Sequence, residues 1–98
     1  MRMMITANVP NEAGNAAIKN GTMGSTIQRI LEQLKPEAAY FTAINGQRTA
    51  ILFVDVPNSS DIPRFAEPFF LEYGCDVEIL PVMSAEDLGK ANLGAFAG

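Results

Sequence analysis

Ala38-Ala39-Tyr40-Phe41-Thr42-Ala43-Ile44 and Gln47-Arg48-Thr49-Ala50-Ile51-Leu52-Phe53-Val54 flank the dipeptide Asn45-Gly46. Both runs favour extended backbone, and Asn-Gly is the preferred two-residue hairpin turn because both of its positions take positive φ. The spacing predicts a hairpin pairing Ile44 with Gln47, Thr42 with Thr49 and Tyr40 with Ile51. That register separates two faces. Ala39, Phe41, Ala43, Ala50, Leu52 and Val54 lie together, apolar and mostly small. Tyr40, Thr42, Ile44, Thr49, Ile51, Phe53 and Asp55 lie on the other side.

Upstream, Met3 to Val9 alternates as a half-buried strand that closes at Pro10. Asn11 is suited to cap the next helix, whose apolar stripe is Ala13, Ala16, Met23, Ile27, Ile30, Leu31 and Leu34. The stripe keeps its register across Gly21 and Gly24. It therefore fits either one long helix or two nearly in line, jointed at Asn20-Gly21. Pro36 ends it by disfavouring helical geometry at Lys35. Downstream of the hairpin, Ser59 or Ser60 is placed to cap a second helix carrying Ile62, Phe65, Ala66, Phe69, Phe70 and Tyr73. Pro63 fits its first turn, Pro68 should bend it and Gly74 should stop it. A strand over Cys75 to Val82 follows, then a short helix opened by Ser84, and an Ala/Gly-rich tail from Asn92. The order is β-α-β-β-α-β. Right-handed crossovers make this a single α+β domain over residues 1–98 of ferredoxin-like kind. A four-stranded antiparallel sheet carries both main helices on one face, and a short C-terminal helix follows.

Composition narrows the chemistry. The chain of 98 residues has no histidine, no tryptophan and one cysteine, with seven Lys+Arg against eleven Asp+Glu. Without imidazole there is no Ser-His-Asp or Cys-His nucleophile, no histidine base and no His-ligated metal or haem within the chain. A net charge of -4 with scattered basic residues argues against nucleic-acid and anionic-membrane partners. Cys75 cannot form an internal disulfide, which suits a reducing cytoplasm. No apolar run approaches the ~20 residues of a membrane span, and the N-terminal stretch is too short for a signal peptide.

The open face gathers further members from the outer strands: Met4, Thr6, Asn8, Glu78 and Leu80. It is too apolar for free solvent yet holds hydroxyls, an amide and a carboxylate. A face of this kind calls for a partner, the simplest being a second copy packed sheet to sheet about a two-fold axis. A pocket between the sheets would take a small apolar or aromatic ligand, with Asn8, Tyr40, Thr42 and Thr49 donating or accepting hydrogen bonds beside Ile51 and Phe53. Glu78 is the carboxylate at mid-face, and with Tyr40 it is a candidate for proton transfer. The alternative is plain packing, with the face filled by side chains and the protein acting as a non-enzymatic interaction or assembly module.

Gly14-Asn15-Ala16-Ala17-Ile18, Lys35-Pro36-Glu37-Ala38-Ala39-Tyr40-Phe41 and Ala66-Glu67-Pro68-Phe69-Phe70 resemble a group of small bacterial proteins of unknown function. The strand order and half-polar sheet face resemble the dimeric α/β-barrel superfamily. That resemblance implies the fold, a homodimer through the open sheet face, and a place among cofactor-free monooxygenases, muconolactone-type isomerases, haem-degrading enzymes and YCII-like proteins. Several of these use a histidine as base or iron ligand, and this chain departs from them there.

Other motifs are weaker. Gly21-Thr22-Met23-Gly24 has the GxxG spacing of RNA-binding KH domains, but it holds no basic residue and sits in an acidic chain. It also lacks the lysine of a P-loop. Asp55, Asp61, Asp76 and Glu78 fall on three separate elements, which makes no metal set. No cofactor is implied.

Overall fold

A computed structural model describes residues 1–98. Strands β1 (Arg2–Val9), β2 (Ala38–Ile44), β3 (Gln47–Asp55) and β4 (Asp76–Pro81) form one sheet in the order β2-β3-β1-β4. Every neighbouring pair is antiparallel. The hairpin has the register set by its turn, with Ile44 opposite Gln47, Thr42 opposite Thr49 and Tyr40 opposite Ile51. Asn45 at φ 53° and Gly46 at φ 74° supply the left-handed geometry the turn requires.

The segment before the hairpin is two helices, α1 (Asn11–Lys19) and α2 (Met23–Leu34). Gly21 at φ 78° makes the break between them. Asn11 is not the cap: Pro10 occupies that position, and the Asn11 amide donates instead to the Gly46 carbonyl at 3.1 Å. Its side chain thus ties the helix start to the hairpin turn. The buried face of α1 also differs from the apolar stripe. Ala16 is exposed, whereas Gly14 and Ala17 are buried. The cause is close approach: a Cβ on Gly14 would lie 2.7 Å from Arg48 Nη1 and 3.3 Å from Val9 Cγ1. Lys35 leaves α2 in the left-handed region at φ 47°, ahead of Pro36.

The helix α3 (Ile62–Tyr73) is preceded by a 3-10 turn over Ser59–Asp61. There the Asp61 carboxylate accepts from the Asn58 backbone N–H at 3.2 Å; Asn58 starts the turn, and Asp61 rather than Ser59 or Ser60 holds the N-cap position of α3. Pro68 sits inside α3 without ending it, and Gly74 closes it at φ 62°. Phe65, Ala66, Phe69 and Tyr73 are buried, while Ile62 and Phe70 are on the solvent side. A short α4 (Ala85–Gly89) and a 3-10 turn over Leu93–Phe96 complete the chain.

One core joins the helices to one face of the sheet. Met3, Ile5, Ala7 and Val9 from β1 and Ala50, Leu52 and Val54 from β3 pack with Ala17, Ile30, Leu34, Phe65, Phe69 and Tyr73. Burial of such side chains contributes about 1.5–3 kcal/mol each. The ion pair of Arg29 with Glu72 links α2 to α3 at the surface. No helix is long and apolar enough to cross a membrane.

Candidate functional site

The face of the sheet away from the helices is ordered in rows. Alternation sends Arg2, Met4, Thr6 and Asn8 of β1 to this side, and the pairing of β1 with β3 and β4 aligns their neighbours. Nearest the hairpin turn, Thr42, Thr49, Asn8 and Asp76 form a wholly polar row. Next come Tyr40, Ile51, Thr6 and Glu78, a mixed row. Then come Ala38, Phe53, Met4 and Leu80, wholly apolar. Arg2 opposite Asp55 ends the face in charge. The face is therefore banded along its strands, polar at the hairpin end and charged at the other, with an apolar row between.

The seven candidate residues fall out unequally. Tyr40 is 61% exposed, and its ring meets that of Phe53 edge-on, with centroids 6.4 Å apart at 80°. Such a pair is worth about 0.5–1.5 kcal/mol beyond its buried area. Ile51 and Phe53 are half-buried, and Thr42 and Glu78 are exposed. Thr49 is only 2% exposed, so it is not an open contact group. Its hydroxyl lies 2.7 Å from Asn8 Oδ1 and 3.0 Å from the Gln47 carbonyl, donating to these acceptors. A threonine there holds the Asn8 amide in one orientation. The Asn8 carbonyl oxygen is thus engaged across the strands, and its amide nitrogen makes no hydrogen bond within the chain. Among the free polar groups of the face are the Tyr40, Thr42 and Thr6 hydroxyls, the Asn8 amide N–H groups and the Glu78 carboxylate.

Asp76 and Arg2 also belong to this face and were absent from the sequence-based set. Alternation already sets Asp76 on the side of Glu78 and Leu80 and Arg2 on that of Met4; the pairing puts Asp76 opposite Asn8 and Arg2 opposite Asp55. Arg2 forms ion pairs with Glu37 and, at 3.7 Å, with Asp87. Hydrogen bonding and charge from Glu37 raise its pKa above the ordinary arginine value. Beside this cluster, a cleft of about 480 Å³ is lined by Glu37, Tyr40, Phe53, Val82, Met83 and Ser84. It brings the start of the chain's last segment against the Tyr40–Phe53 pair.

The helix side of the sheet holds a second recess. Phe41, assigned by its register to the covered face, lies on the edge strand β2 and is 55% exposed. A groove of about 500 Å³ runs there between Met23 and Ile27 of α2 and Phe41, Val9 and Ala50 of the sheet. Its lining is mostly apolar, with Thr42, Thr49 and Arg48 also at its wall. Cys75 lies elsewhere, buried, with burial and the neighbouring Asp76 charge pushing its thiol up to about 11. It remains a protonated, apolar-like group at neutral pH. No cluster of three or more Cys, Asp or Glu side chains is placed to hold a metal ion.

The chemistry of the open face is orientation and hydrogen bonding. Its donors stand at one end, and the aromatic pair and the aliphatic groups share the rows between them and the charged Arg2–Asp55 end. No known protein-family model matches the chain, and no curated protein matches it.

Proposed function

We propose that the chain is a ferredoxin-like, dimeric α/β-barrel protein whose open sheet faces pack together around a small apolar or aromatic ligand. The strand order supports this reading, since from the other edge it runs β4-β1-β3-β2, the order a split βαβ fold produces. The observation that carries the ligand is the row pattern. An aromatic or aliphatic body suits Phe53, Met4 and Leu80, while a carbonyl, carboxylate or phenol oxygen suits the Asn8 amide and the Thr42 and Tyr40 hydroxyls. The buried Thr49 supports this by fixing Asn8 before any ligand arrives. A free, buried Cys75 suits a reducing compartment such as the cytoplasm.

Either a binding protein or a cofactor-independent monooxygenase or isomerase fits such a pocket. Glu78 and Tyr40 stand in the same row, and they are the groups we assign to any proton transfer. Thermal-shift screening against hydrophobic carboxylates, phenols and quinones tests the reading. A hit abolished by Tyr40→Ala or Glu78→Gln in a protein that keeps its dimer supports a pocket. Silence across the library, with dimer loss on the same substitutions, supports a face that only assembles protein.

A further inference from the structure

Every residue from Ala85 to Gly98 is exposed, although the segment is folded into α4 and a 3-10 turn. Leu88, Leu93 and Phe96 are all open to solvent, Phe96 at 86%. The segment has its own internal order. Ser84 caps α4 by accepting from the Asp87 N–H at 3.1 Å, and the Asp87 carboxylate accepts from the Ser84 N–H at 3.1 Å. Its ties to the rest of the chain lie at its root, in the Val82 N–H to Arg2 carbonyl bond and the Arg2–Asp87 ion pair. The molecule is correspondingly drawn out. Its longest axis is 58 Å and its radius of gyration 16.1 Å, against about 13 Å for a compact domain of this length.

An ordered arm with three large, exposed apolar side chains is built to lie on something. Its root identifies the occupant. Val82, Met83 and Ser84 line the same cleft as Tyr40 and Phe53, so the arm leaves the body at the rim of the open sheet face. Resting on the dimer proposed above, we infer that residues 82–98 are an exchange arm, with Leu88, Leu93 and Phe96 of each copy packing on the second copy at the edge of its open face. The areas point the same way. Four strands about 4.8 Å apart and about six paired residues of 3.4 Å each give a face of roughly 400 Å² in projection, before side-chain relief. A standard interface covers roughly 800 Å² per partner. The exposed Leu88, Leu93 and Phe96 of the arm add to the apolar surface such an interface can cover. The arm also closes one end of the inter-sheet space beside Tyr40 and Phe53, so each ligand site is incomplete without the partner.

The test places a nitroxide on Leu93→Cys in the full chain, where the buried Cys75 leaves the new thiol as the one that reacts. This chain is mixed with an equal amount of ¹⁵N-labelled, unmodified chain. The inference expects selective broadening of open-face amides in the ¹⁵N chain. It also expects Leu88→Ser/Leu93→Ser/Phe96→Ser to weaken dimerisation roughly tenfold or more without lowering the far-UV signal of the sheet. A dimer that shows no intermolecular broadening and is as tight in the triple variant overturns the arm and leaves the sheet-face dimer standing. A full chain that stays monomeric overturns both.

Discussion

The two sides of this sheet are made by the same strands, yet only one is complete. On β1, Met3, Ile5, Ala7 and Val9 are buried under helices, while Met4, Thr6 and Asn8, interleaved with them, remain half-exposed. Backbone and propensity are shared, so the difference lies in what each set of side chains requires. The covered side is apolar apart from Arg48, which reaches Asn15 of α1, and is satisfied by α1, α2 and α3. The other grades from amide and hydroxyls to an aromatic pair and aliphatics, a composition that neither water nor a plain hydrophobic layer satisfies. The first side makes the fold, and the second is available for work.

Substitutions on the two sides should therefore separate folding from assembly. The largest loss is expected for Leu52→Ala on the covered side. Leu52 is fully buried, and removing its side chain should cost about 2–5 kcal/mol in chemical denaturation. Thr49→Val sits between the two sides, and it should cost about 1 kcal/mol for the lost hydroxyl bonds. A larger effect on ligand-induced stabilisation is expected from Thr49→Val, because Asn8 loses its orientation. Tyr40→Ser should change the unfolding free energy of the isolated chain by about 0.5–1.5 kcal/mol, the scale of the lost Phe53 contact, while weakening ligand response. If Tyr40→Ser behaves like Leu52→Ala, the distinction between the faces fails.

The smallest effect is electrostatic. Hydrogen bonds from Ser84 and then the Arg2 charge hold the Asp87 carboxyl below its ordinary 3.8. A depressed folded pKa gives stabilisation that is present above the ordinary value and lost as pH falls through and below it. Acidification through 3.8 should thus loosen α4 while the sheet persists. The Ser84 and Asp87 amide resonances would show it. A Ser84→Ala variant should fray α4 at neutral pH as well, with no change in sheet stability.

The fold was legible because its signals are local. Asn45-Gly46 sets the hairpin register, Gly74 and Pro36 mark helix ends, and alternation marks the strands. What escaped depended on partners distant in sequence. Asn11 turned from cap to hairpin tie because Gly46 lies within reach, and Ala16 gave way to Gly14 because Arg48 and Val9 press on α1. At the site, alternation alone identified Tyr40, Thr42, Ile51, Phe53 and Asn8 as one face. The rows required the pairing of β1 with both neighbours. The burial of Thr49 was equally unreadable, since nothing in its flanking residues announces the Asn8 oxygen beside it.

The account stands on the open face being covered by a second copy. Sedimentation equilibrium of the full chain at micromolar concentration reads this directly. The account predicts a species of twice the 10.6 kDa chain mass. A wild-type chain that sediments at 10.6 kDa throughout that range would contradict it.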